Sequence, residues 1–264
     1  MKRKLGIIAE AIKNEDSLET LDRIANAGFE STFTGRYDLP SVEKLVEKCE
    51  KLGLDMEFIH APFNDINAMW LPGDKYKTIY GGMIQSIDSA AATGINAVVT
   101  HVSSGWYPPE ICDEGLKHYD DLVEYAAKKK VVVAFENLRK VGNVAYFVDR
   151  YEKVENVRFC YDCGHEHCYT ETVCFPDIFR EKMIFTHIHD NMGRDKNNPL
   201  GDPDMHVLPF DGNIDYEKMM RKLDEYGYKG SLMLEVSSAP YPDLLPDEFI
   251  KTAFERIKKI SLMS

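Results

Sequence analysis

The sequence lacks any apolar run that approaches the roughly 20 residues needed to span a bilayer as a helix. Its first segment, MKRKLGIIAEAIKNEDS, begins with basic residues, but the apolar stretch is too short for a secretory signal peptide and no small-residue cleavage site follows. We therefore expect a cytoplasmic protein with no membrane partner. We interpret this segment as the first strand of the fold.

Positive charge is also in short supply. Lys and Arg number 32 against 44 Asp and Glu, which gives a net charge of -12 at pH 7. Proteins that bind nucleic acids usually carry a basic patch, because neutralising phosphates supplies much of their affinity. No stripe rich in Lys or Arg is visible, so a nucleic-acid partner is not expected, although a small basic patch would be compatible with the negative total.

Two motifs of cofactor chemistry are missing or incomplete. No G-x-G-x-x-G follows the first predicted strand, which argues against a dinucleotide site. Of the six cysteines, only Cys160 and Cys163 form a C-x-x-C pair, and one pair without a second is a weak sign of a zinc ribbon or a redox centre. We expect all six to be ordinary reduced thiols.

What the sequence does contain is a regular alternation of strand-like and helix-like segments. Apolar runs such as INAVVTH and VVVAFE are each followed by a helix-like segment that often ends at a glycine. Continuously apolar runs are typical of strands that helices cover. Eight such units fit in 264 residues, close to the roughly 250 residues of a (β/α)8 barrel. We therefore predict an α/β protein: a single TIM-barrel domain over residues 1–264, with a closed parallel sheet of eight strands.

Six of the predicted strands share one chemical feature, because a carboxylate or an imidazole stands at the end of each. These groups are His60, His101, Glu136, Asp162, His187 or His189, and Glu235. In a parallel barrel all strands end at the same face, where the active sites of such barrels lie. The adjoining loops add His165, Asp204 and His206. One such residue alone would usually be a buried imidazole or a salt-bridge partner, but so many at one end indicate a site for a divalent metal.

The mixture of carboxylates and imidazoles suits zinc, manganese or cobalt better than calcium or magnesium, which prefer oxygen ligands. His187 and His189 lie two residues apart on a strand and share a face, so the sequence leaves open which of them is the ligand. The other would then support the ligand or bind substrate. The irregular stretch at about 190–212, rich in Asn, Asp, Gly and Pro, has the length of a functional loop.

Seven segments, taken in order, resemble the signatures of the xylose-isomerase-like barrel superfamily. They are FIHAPFNDIN, VVTHVSSG, AFENL, YDCGH, THIHDN, DMHVLPFDGNIDY and LMLEV. The similarity extends over essentially the whole chain, from about residue 5 to about residue 260. The superfamily includes sugar and sugar-phosphate isomerases and epimerases, and also a family of apurinic-site endonucleases.

The resemblance to the epimerases implies one metal ion, bound by Glu136, Asp162, His187 and Glu235. It further implies that Glu136 and Glu235 form an acid/base pair on opposite faces of the substrate, and that the metal stabilises an enediolate. The resemblance to the endonucleases implies up to three ions. The additional ligands would then be His60, His101, His165, Asp204 and His206, and the metal count stays open at one to three.

Aromatic residues in the predicted loops suggest the walls of a small sugar pocket. Candidate wall residues are Phe63, Trp70, Trp106 and Tyr107, and candidate anion-binding residues are Arg194 and Lys196. A nuclease would need cationic and intercalating side chains around this mouth. The loops after His60 and His101 instead hold acidic residues beside their aromatic ones.

We therefore predict a divalent-metal-dependent isomerase or epimerase of a sugar, sugar phosphate or polyol, with Mn, Zn or Co as its cofactor. The predicted substrate-binding residues are His189, Trp106, Arg194 and Phe63. The alternatives are an apurinic-site endonuclease with a trinuclear zinc site and a dehydratase that acts on a keto-inositol-like substrate. Barrels of this class often associate, so a homo-oligomer is left open.

Overall fold

Eight parallel strands form the centre of the protein in a computed structural model that describes residues 2–263. The strands are β1 (Leu5–Ile8), β2 (Ser31–Thr34), β3 (Asp55–His60), β4 (Ala97–Thr100), β5 (Val132–Glu136), β6 (Val157–Asp162), β7 (Met183–His187) and β8 (Leu232–Leu234). They pair in the order β7-β6-β5-β4-β3-β2-β1-β8. A parallel bridge between Ile188 and Leu234 joins the two ends of the sheet. The predicted α/β barrel is therefore confirmed.

Helices follow the strands in turn and cover the outside of the barrel. They are α1 (Ser17–Ala27), α2 (Leu39–Leu52), α3 (Tyr76–Thr93), α4 (Asp113–Lys129), α5 (Val141–Arg150), α6 (Cys163–His165), α7 (Phe175–Phe179), α8 (Tyr216–Glu225) and α9 (Pro246–Ile260). Short 3-10 turns at Ile66–Trp70 and Arg180–Lys182 and a π-helical turn at Glu166–Thr170 complete the set. A helix follows each of the first six strands and β8, and α8 follows β7 after a long loop, which confirms the predicted alternation.

Local chemistry explains where these helices begin and end. The Asp16 carboxylate accepts a hydrogen bond from the Leu18 amide at 2.8 Å and caps α1, and Asp38 caps α2 in the same way. Such caps satisfy backbone N–H groups that the first turn leaves free, and each is worth about 1 kcal/mol. Gly28 ends α1 with a φ of 102°, a conformation that a residue with a Cβ rarely adopts.

The apolar residues form two layers. The larger layer packs between the sheet and the helices, whereas a smaller one fills the inside of the barrel. The inner layer consists of Phe33, Phe58, Ala97, Val99, Ala134, Cys160 and Met233. The Phe33 and Phe58 rings stack with centroids 4.6 Å apart. This packing fills the barrel interior, so the groups at the strand ends lie directly above tightly packed apolar side chains.

Two further expectations concern single features of the chain. Among the helices in the described range, none is long and apolar enough to cross a bilayer. All six cysteines are free thiols, as expected, and Cys160 and Cys163 are both buried.

Candidate metal centre

The groups predicted at the strand ends meet at one face of the barrel. His60, Glu136, Asp162 and His187 are the last residues of β3, β5, β6 and β7, and His101 and Glu235 directly follow β4 and β8. Because parallel strands all end at this face, six separate segments of sequence deliver their side chains to one place. Glu136, Asp162 and His187 are completely buried, whereas the Glu235 side chain is 16 % exposed.

The inner group, as we call it, consists of Glu136, Asp162, His187 and Glu235. Their candidate ligand atoms all lie within 4.8 Å of one another. His187 Nδ1 is 3.2 Å from Glu136 Oε1 and 3.3 Å from Glu235 Oε2. The His187 ring stacks on Phe33 with centroids 4.9 Å apart, so the apolar floor fixes the direction of this imidazole.

The second group shares Glu136 with the inner group and adds His60 and His101. The Nε2 atoms of both histidines lie 3.2 Å from Glu136 Oε2. One carboxylate therefore faces the inner group with Oε1 and the second group with Oε2. Glu136 could therefore offer one oxygen to an ion in each group.

The outer group consists of His165, His189, Asp204 and His206. Asp204 Oδ2 lies 3.2 Å from His165 Nε2 and 3.1 Å from His206 Nε2. His189 Nε2 lies 3.6 Å from Asp204 Oδ1 and 3.2 Å from Asp162 Oδ1. The two histidines that the sequence could not separate thus face different groups: His187 lies in the inner group and His189 in the outer one.

Hydrogen bonds from the Asn137 side chain hold the ends of β5 and β6 in register. The Asn137 side chain accepts from the backbone amide of Asp162 and donates to its carbonyl, both at 2.8 Å. Asp162 Oδ1 in turn accepts from the backbone amide of His165 at 2.6 Å and caps the single turn of α6. The spacing Asp-x-x-His therefore places one ligand on the strand and the next on the turn that the first ligand caps.

The loop after β7 carries Asp204 and His206, and Asp190 organises it. The Asp190 carboxylate is buried and accepts hydrogen bonds from the backbone amides of Phe210 at 2.8 Å and Asn191 at 2.9 Å. Its backbone also forms an antiparallel bridge with Val207. His206, directly before that bridge, has a φ of 45°, so local strain is accepted where the ring is aimed at the site.

Backbone carbonyls fix the orientation of three imidazoles. Nδ1 of His60 lies 2.8 Å from the carbonyl of Ala61, Nδ1 of His165 lies 3.0 Å from that of Asn137, and Nδ1 of His206 lies 2.7 Å from that of Glu235. A carbonyl only accepts, so each Nδ1 donates its proton. The Nε2 atom of each ring then faces a carboxylate of the site and is the nitrogen left to bind a metal, as is typical of metal-ligating histidines.

The electrostatics of the metal-free chain follow from burying acids among imidazoles. Burial opposes the charge of Glu136, but the attraction of His187 and His101 outweighs it and holds the pKa of Glu136 well below its usual range. Burial likewise opposes the charge of His206, yet the hydrogen bond to Asp204 raises the pKa of His206 to about 10. Asp162 and Asp204 similarly raise the pKa of His165 against its burial. Protons thus take the place of cations between the carboxylates.

The donor atoms fit a divalent metal. Several buried polar atoms have no hydrogen-bond partner within residues 2–263: Glu136 Oε1, Asp162 Oδ2, Asp204 Oδ1, His101 Nδ1 and both ring nitrogens of His187 and of His189. Buried polar atoms are usually satisfied, so convergent orphans of this kind need an explanation. Carboxylate oxygens with imidazole nitrogens are the donors that zinc, manganese and cobalt accept.

A cavity of about 170 Å³ opens above the three groups. Phe63 forms part of its wall, is 46 % exposed and stacks on His101 at 4.5 Å. Trp106 lies beside Tyr169, which lines the cavity. Arg194 does not line this cavity; its guanidinium lies over the Trp106 ring, 4.4 Å from the centroid.

Two predicted wall residues are wrong, and Lys196 does not reach the site. Trp70 is 2 % exposed, packs on Tyr119 and donates to the Val102 carbonyl, because the turn Ile66–Trp70 directs it into the core. Tyr107 is 83 % exposed and does not line the cavity. Lys196 is exposed in the loop after β7.

Sequence reasoning missed two residues that the site uses. Asn137 and Arg139 follow Glu136 at the end of β5, and Arg139 lines the cavity. A signal was available, because the loops that follow the strands of a parallel barrel build its active site. The segment AFENL predicts a ligand at Glu136, and the two polar residues that follow this glutamate lie at the same face.

Comparisons with known proteins identify the family of the fold. A family model described as xylose isomerase-like TIM barrel matches residues 21–260. MJ1311, an uncharacterised protein of Methanocaldococcus jannaschii, is 24 % identical over 256 residues, covering 88 % of this chain and 83 % of the relative.

Two similar solved structures share the fold at low identity. One is the IolI protein with a bound zinc atom, with a TM-score of 0.78, 19 % identity and 98 % of each chain covered. The other is a D-tagatose 3-epimerase-like protein, with a TM-score of 0.73, 20 % identity, and 97 % of this chain and 96 % of that one covered. The family match spans most of the sequence, so the chain belongs to the xylose isomerase-like TIM barrel family, as its motifs predicted.

Proposed function

We propose that the protein is a metal-dependent isomerase or epimerase of a sugar, sugar phosphate or polyol. The observation that carries the proposal is the inner group, Glu136, Asp162, His187 and Glu235, of which Glu235 lines a cavity of about 170 Å³. Pockets for drug-sized ligands measure about 300–1,000 Å³, so this cavity suits a small substrate. The likeness to an epimerase-like protein and to a zinc-binding IolI supports the same class.

Four residues would hold the ion in this proposal: Glu136, Asp162, His187 and Glu235. When bound there, zinc, manganese or cobalt supplies a Lewis acid that polarises the carbonyl and hydroxyl oxygens of the substrate. Asn137 and Phe33 keep Asp162 and His187 in place, through paired backbone hydrogen bonds and ring stacking respectively. The protein therefore positions the ligands before substrate arrives.

The two glutamates of the predicted acid/base pair differ in access. Glu235 is 16 % exposed and lines the cavity, so it can take a proton from a substrate carbon. Glu136 has no exposed surface, and ring nitrogens of His60, His101, His165 and His187 each lie 3.2 Å from its oxygens. Glu235 is accordingly the primary proton-transfer residue, and Glu136 acts as its partner only where a substrate reaches past His60 and His101.

Of the remaining predicted substrate contacts, Phe63 forms part of the cavity wall. Phe63 presents an exposed ring face over His101, and such faces pack well against the C–H groups of a sugar. Arg194, in the loop after β7, lies over the ring of Trp106, in the loop after β4, and Trp106 in turn contacts Tyr169 of the cavity wall. His189 is fully buried and stacked on His206 at 4.0 Å, so it would act on the substrate only through the outer group to which it belongs.

A second function is favoured by one specific observation, the sharing of Glu136 between two ligand groups beside a third. Three ions arranged in this way would suit hydrolysis of a phosphodiester, as in an apurinic-site endonuclease. The net charge of -12 and the small cavity count against a duplex substrate. This function remains the alternative that the experiment must separate from isomerisation.

Elemental analysis of the purified protein, combined with two activity assays, separates the two functions. For an isomerase we expect metal-dependent exchange of a C–H proton with deuterated water on at least one member of a ketose, ketose-phosphate and inosose panel. Glu235→Gln should abolish this exchange, whereas Glu217→Gln, an exposed control on α8 with a side chain 70 % exposed, should leave it unchanged. Nicking of abasic duplex DNA without exchange on any ketose would refute the isomerase and support the endonuclease.

A further inference from the structure

The cavity wall contains an arginine that the metal groups do not use. Arg139 lies three residues after Glu136, lines the cavity beside His165, and has a side chain that is 12 % exposed. Its guanidinium carbon lies 3.8 Å from the ring centroid of Tyr169 and 5.3 Å from that of Trp106. Aromatic stacking therefore holds the guanidinium in place.

The same stack leads directly to the candidate metal ligands. The Tyr169 ring stacks on His165 of the outer group, with centroids 5.4 Å apart. The guanidinium of Arg194 lies 4.4 Å from the Trp106 ring centroid, so the guanidiniums of Arg139 and Arg194 both contact this indole. The Tyr169 ring alone lies between Arg139 and His165, so a small substrate can contact both the guanidinium and the metal groups.

Most of the hydrogen-bonding capacity of Arg139 is free. A guanidinium has five N–H donors. Within residues 2–263, Nη2 donates to Asp202 at 2.8 Å, and Nε is buried with no hydrogen-bond partner. Asp202 is 68 % exposed and also accepts from the Tyr169 hydroxyl at 2.8 Å. An exposed carboxylate is a weak partner for a stacked guanidinium, so an incoming anion can compete with it.

Charge explains why such a residue is needed. The protein has a net charge of -12, and the metal groups hold four carboxylates, Glu136, Asp162, Asp204 and Glu235. Metal ions bound by these groups would offset their carboxylates, but Asp202 also lines the cavity outside them, so an anionic group on this wall needs a local positive charge. A planar guanidinium binds phosphate or carboxylate oxygens through paired hydrogen bonds, which makes Arg139 suited to that role.

We propose that Arg139, with Arg194 beside it on the Trp106 ring, forms a subsite for an anionic group of the substrate, a phosphate or a carboxylate. This inference rests on the proposed function, which places the reacting end of the substrate near the inner group. It narrows the substrate class from sugars in general to phosphorylated sugars or sugar acids.

Calorimetric titration of the metal-loaded protein with three probes of one carbon skeleton tests the subsite. The probes are glycerol, glycerate and glycerol 3-phosphate. We expect the two anions to bind at least tenfold more tightly than glycerol, because a charge-assisted hydrogen bond is worth at least that factor. A preference for glycerol 3-phosphate would identify a phosphate subsite, and a preference for glycerate a carboxylate subsite. Equal binding of all three would overturn the proposal.

Variants then assign the preference to Arg139. Arg139→Gln should remove the preference for anions, and Arg139→Lys should keep part of it, because lysine retains the charge without the planar fork. Asp202→Asn preserves the hydrogen bond to Tyr169 but removes the competing charge, so anions should bind more tightly. Glu110→Gln is the matched control, since it removes an exposed carboxylate that pairs with Lys140 at 2.9 Å, and it should change nothing.

The experiment keeps this inference separate from the proposed function. Anion binding needs no turnover, so failure of isomerisation leaves the titrations interpretable. An anion preference that survives Arg139→Gln would place the anions on the metal ions and overturn the subsite. If Arg139→Gln does not fold, the wild-type comparison and the gain expected for Asp202→Asn still decide the question.

Discussion

Glu136 is the residue on which the arrangement of the metal groups depends. It belongs to both the inner and the second group, and it has no exposed surface. A buried carboxylate without nearby positive charge would be strongly destabilising, so its four imidazole neighbours and any bound ions are what make its ionised form tolerable. Its effect on metal binding should therefore exceed that of any other single ligand.

Substitution of this residue gives the first prediction. Glu136→Gln keeps the shape of the side chain but removes the charge shared by two groups, so metal binding at both the inner and second groups should fall. Glu235→Gln should weaken the inner group alone. Elemental analysis after dialysis against a fixed metal concentration measures both effects.

A control for this prediction is available at the opposite end of the barrel. Glu57 is a mostly buried glutamate near the start of β3, hydrogen-bonded to Ser231, and burial raises its pKa. Glu57→Gln should retain the full metal content of the wild type. Equal metal content in Glu136→Gln and Glu57→Gln would contradict the bridging position of Glu136.

For single residues, the sequence predicted which residues lie at the site better than it predicted which way their side chains point. All nine residues of the implied ligand pattern lie in the three groups, because the end of a parallel strand fixes where its last side chain lies. The choice between His187 and His189 was beyond the sequence, since both face the site and only the positions of Asp162 and Asp204 separate them. Trp70 was mistaken for a wall residue because its direction depends on a single 3-10 turn.

Among the elements, the short turn α6 after β6 packs closely against the site. A Cβ added at Gly164 in α6 would lie 2.0 Å from Cε1 of His189. The absence of a side chain at this position therefore lets α6 approach the end of β7. Asp162 caps this turn, so strand, turn and outer group form one packed unit.

A pair of glycine substitutions tests this packing. Gly164→Ala forces the His189 ring or the turn to move and should cost about 1–3 kcal/mol of unfolding free energy, as overpacking usually does. Gly142→Ala in α5 meets no atom within 4 Å and should be neutral or stabilising by up to about 1 kcal/mol. Urea unfolding of both variants measures the difference.

The same pair also separates packing from metal binding. Gly164→Ala should weaken metal binding by the outer group, through His165 and His189, and leave the inner group intact. Gly142→Ala should change neither. A Gly164→Ala protein with wild-type stability and metal content would show that the contact with His189 is relieved without consequence.

The sequence predicted the elements well because strand and helix patterns are local. Continuous apolar runs and glycine stops placed β1 to β8 and the long helices, whereas the path of the loop at about 190–212 depended on distant partners. Asp190, for example, organises that loop through the amide of Phe210, twenty residues further along the chain. Such contacts leave no periodic signal in the sequence.

For the whole molecule, the metal groups couple folding to metal and to pH. Without metal, protons on His165, His187 and His206 balance the buried carboxylates, and, against the opposing effect of burial, the hydrogen bond to Asp204 raises the pKa of His206 from 6.5 to about 10. A raised pKa in the folded state means that the proton stabilises the fold below the unfolded value and that this stabilisation is lost as pH rises toward 10. The raised pKa values of His165 and His187 act in the same direction.

Bound metal reverses this dependence and gives the last prediction. Ligands must lose their protons to bind an ion, so metal affinity, and with it the stability of the loaded protein, rises with pH. The melting temperature of the chelator-treated protein should fall between pH 6.5 and about pH 8.5, while that of the loaded protein stays level or rises. Circular dichroism melts with EDTA or with manganese measure the gap. The difference in melting temperature between the manganese-loaded and the EDTA-treated protein should increase less with pH in His206→Gln than in the wild type. If the melting temperatures of the two wild-type forms change in parallel with pH, these imidazoles do not exchange protons for metal.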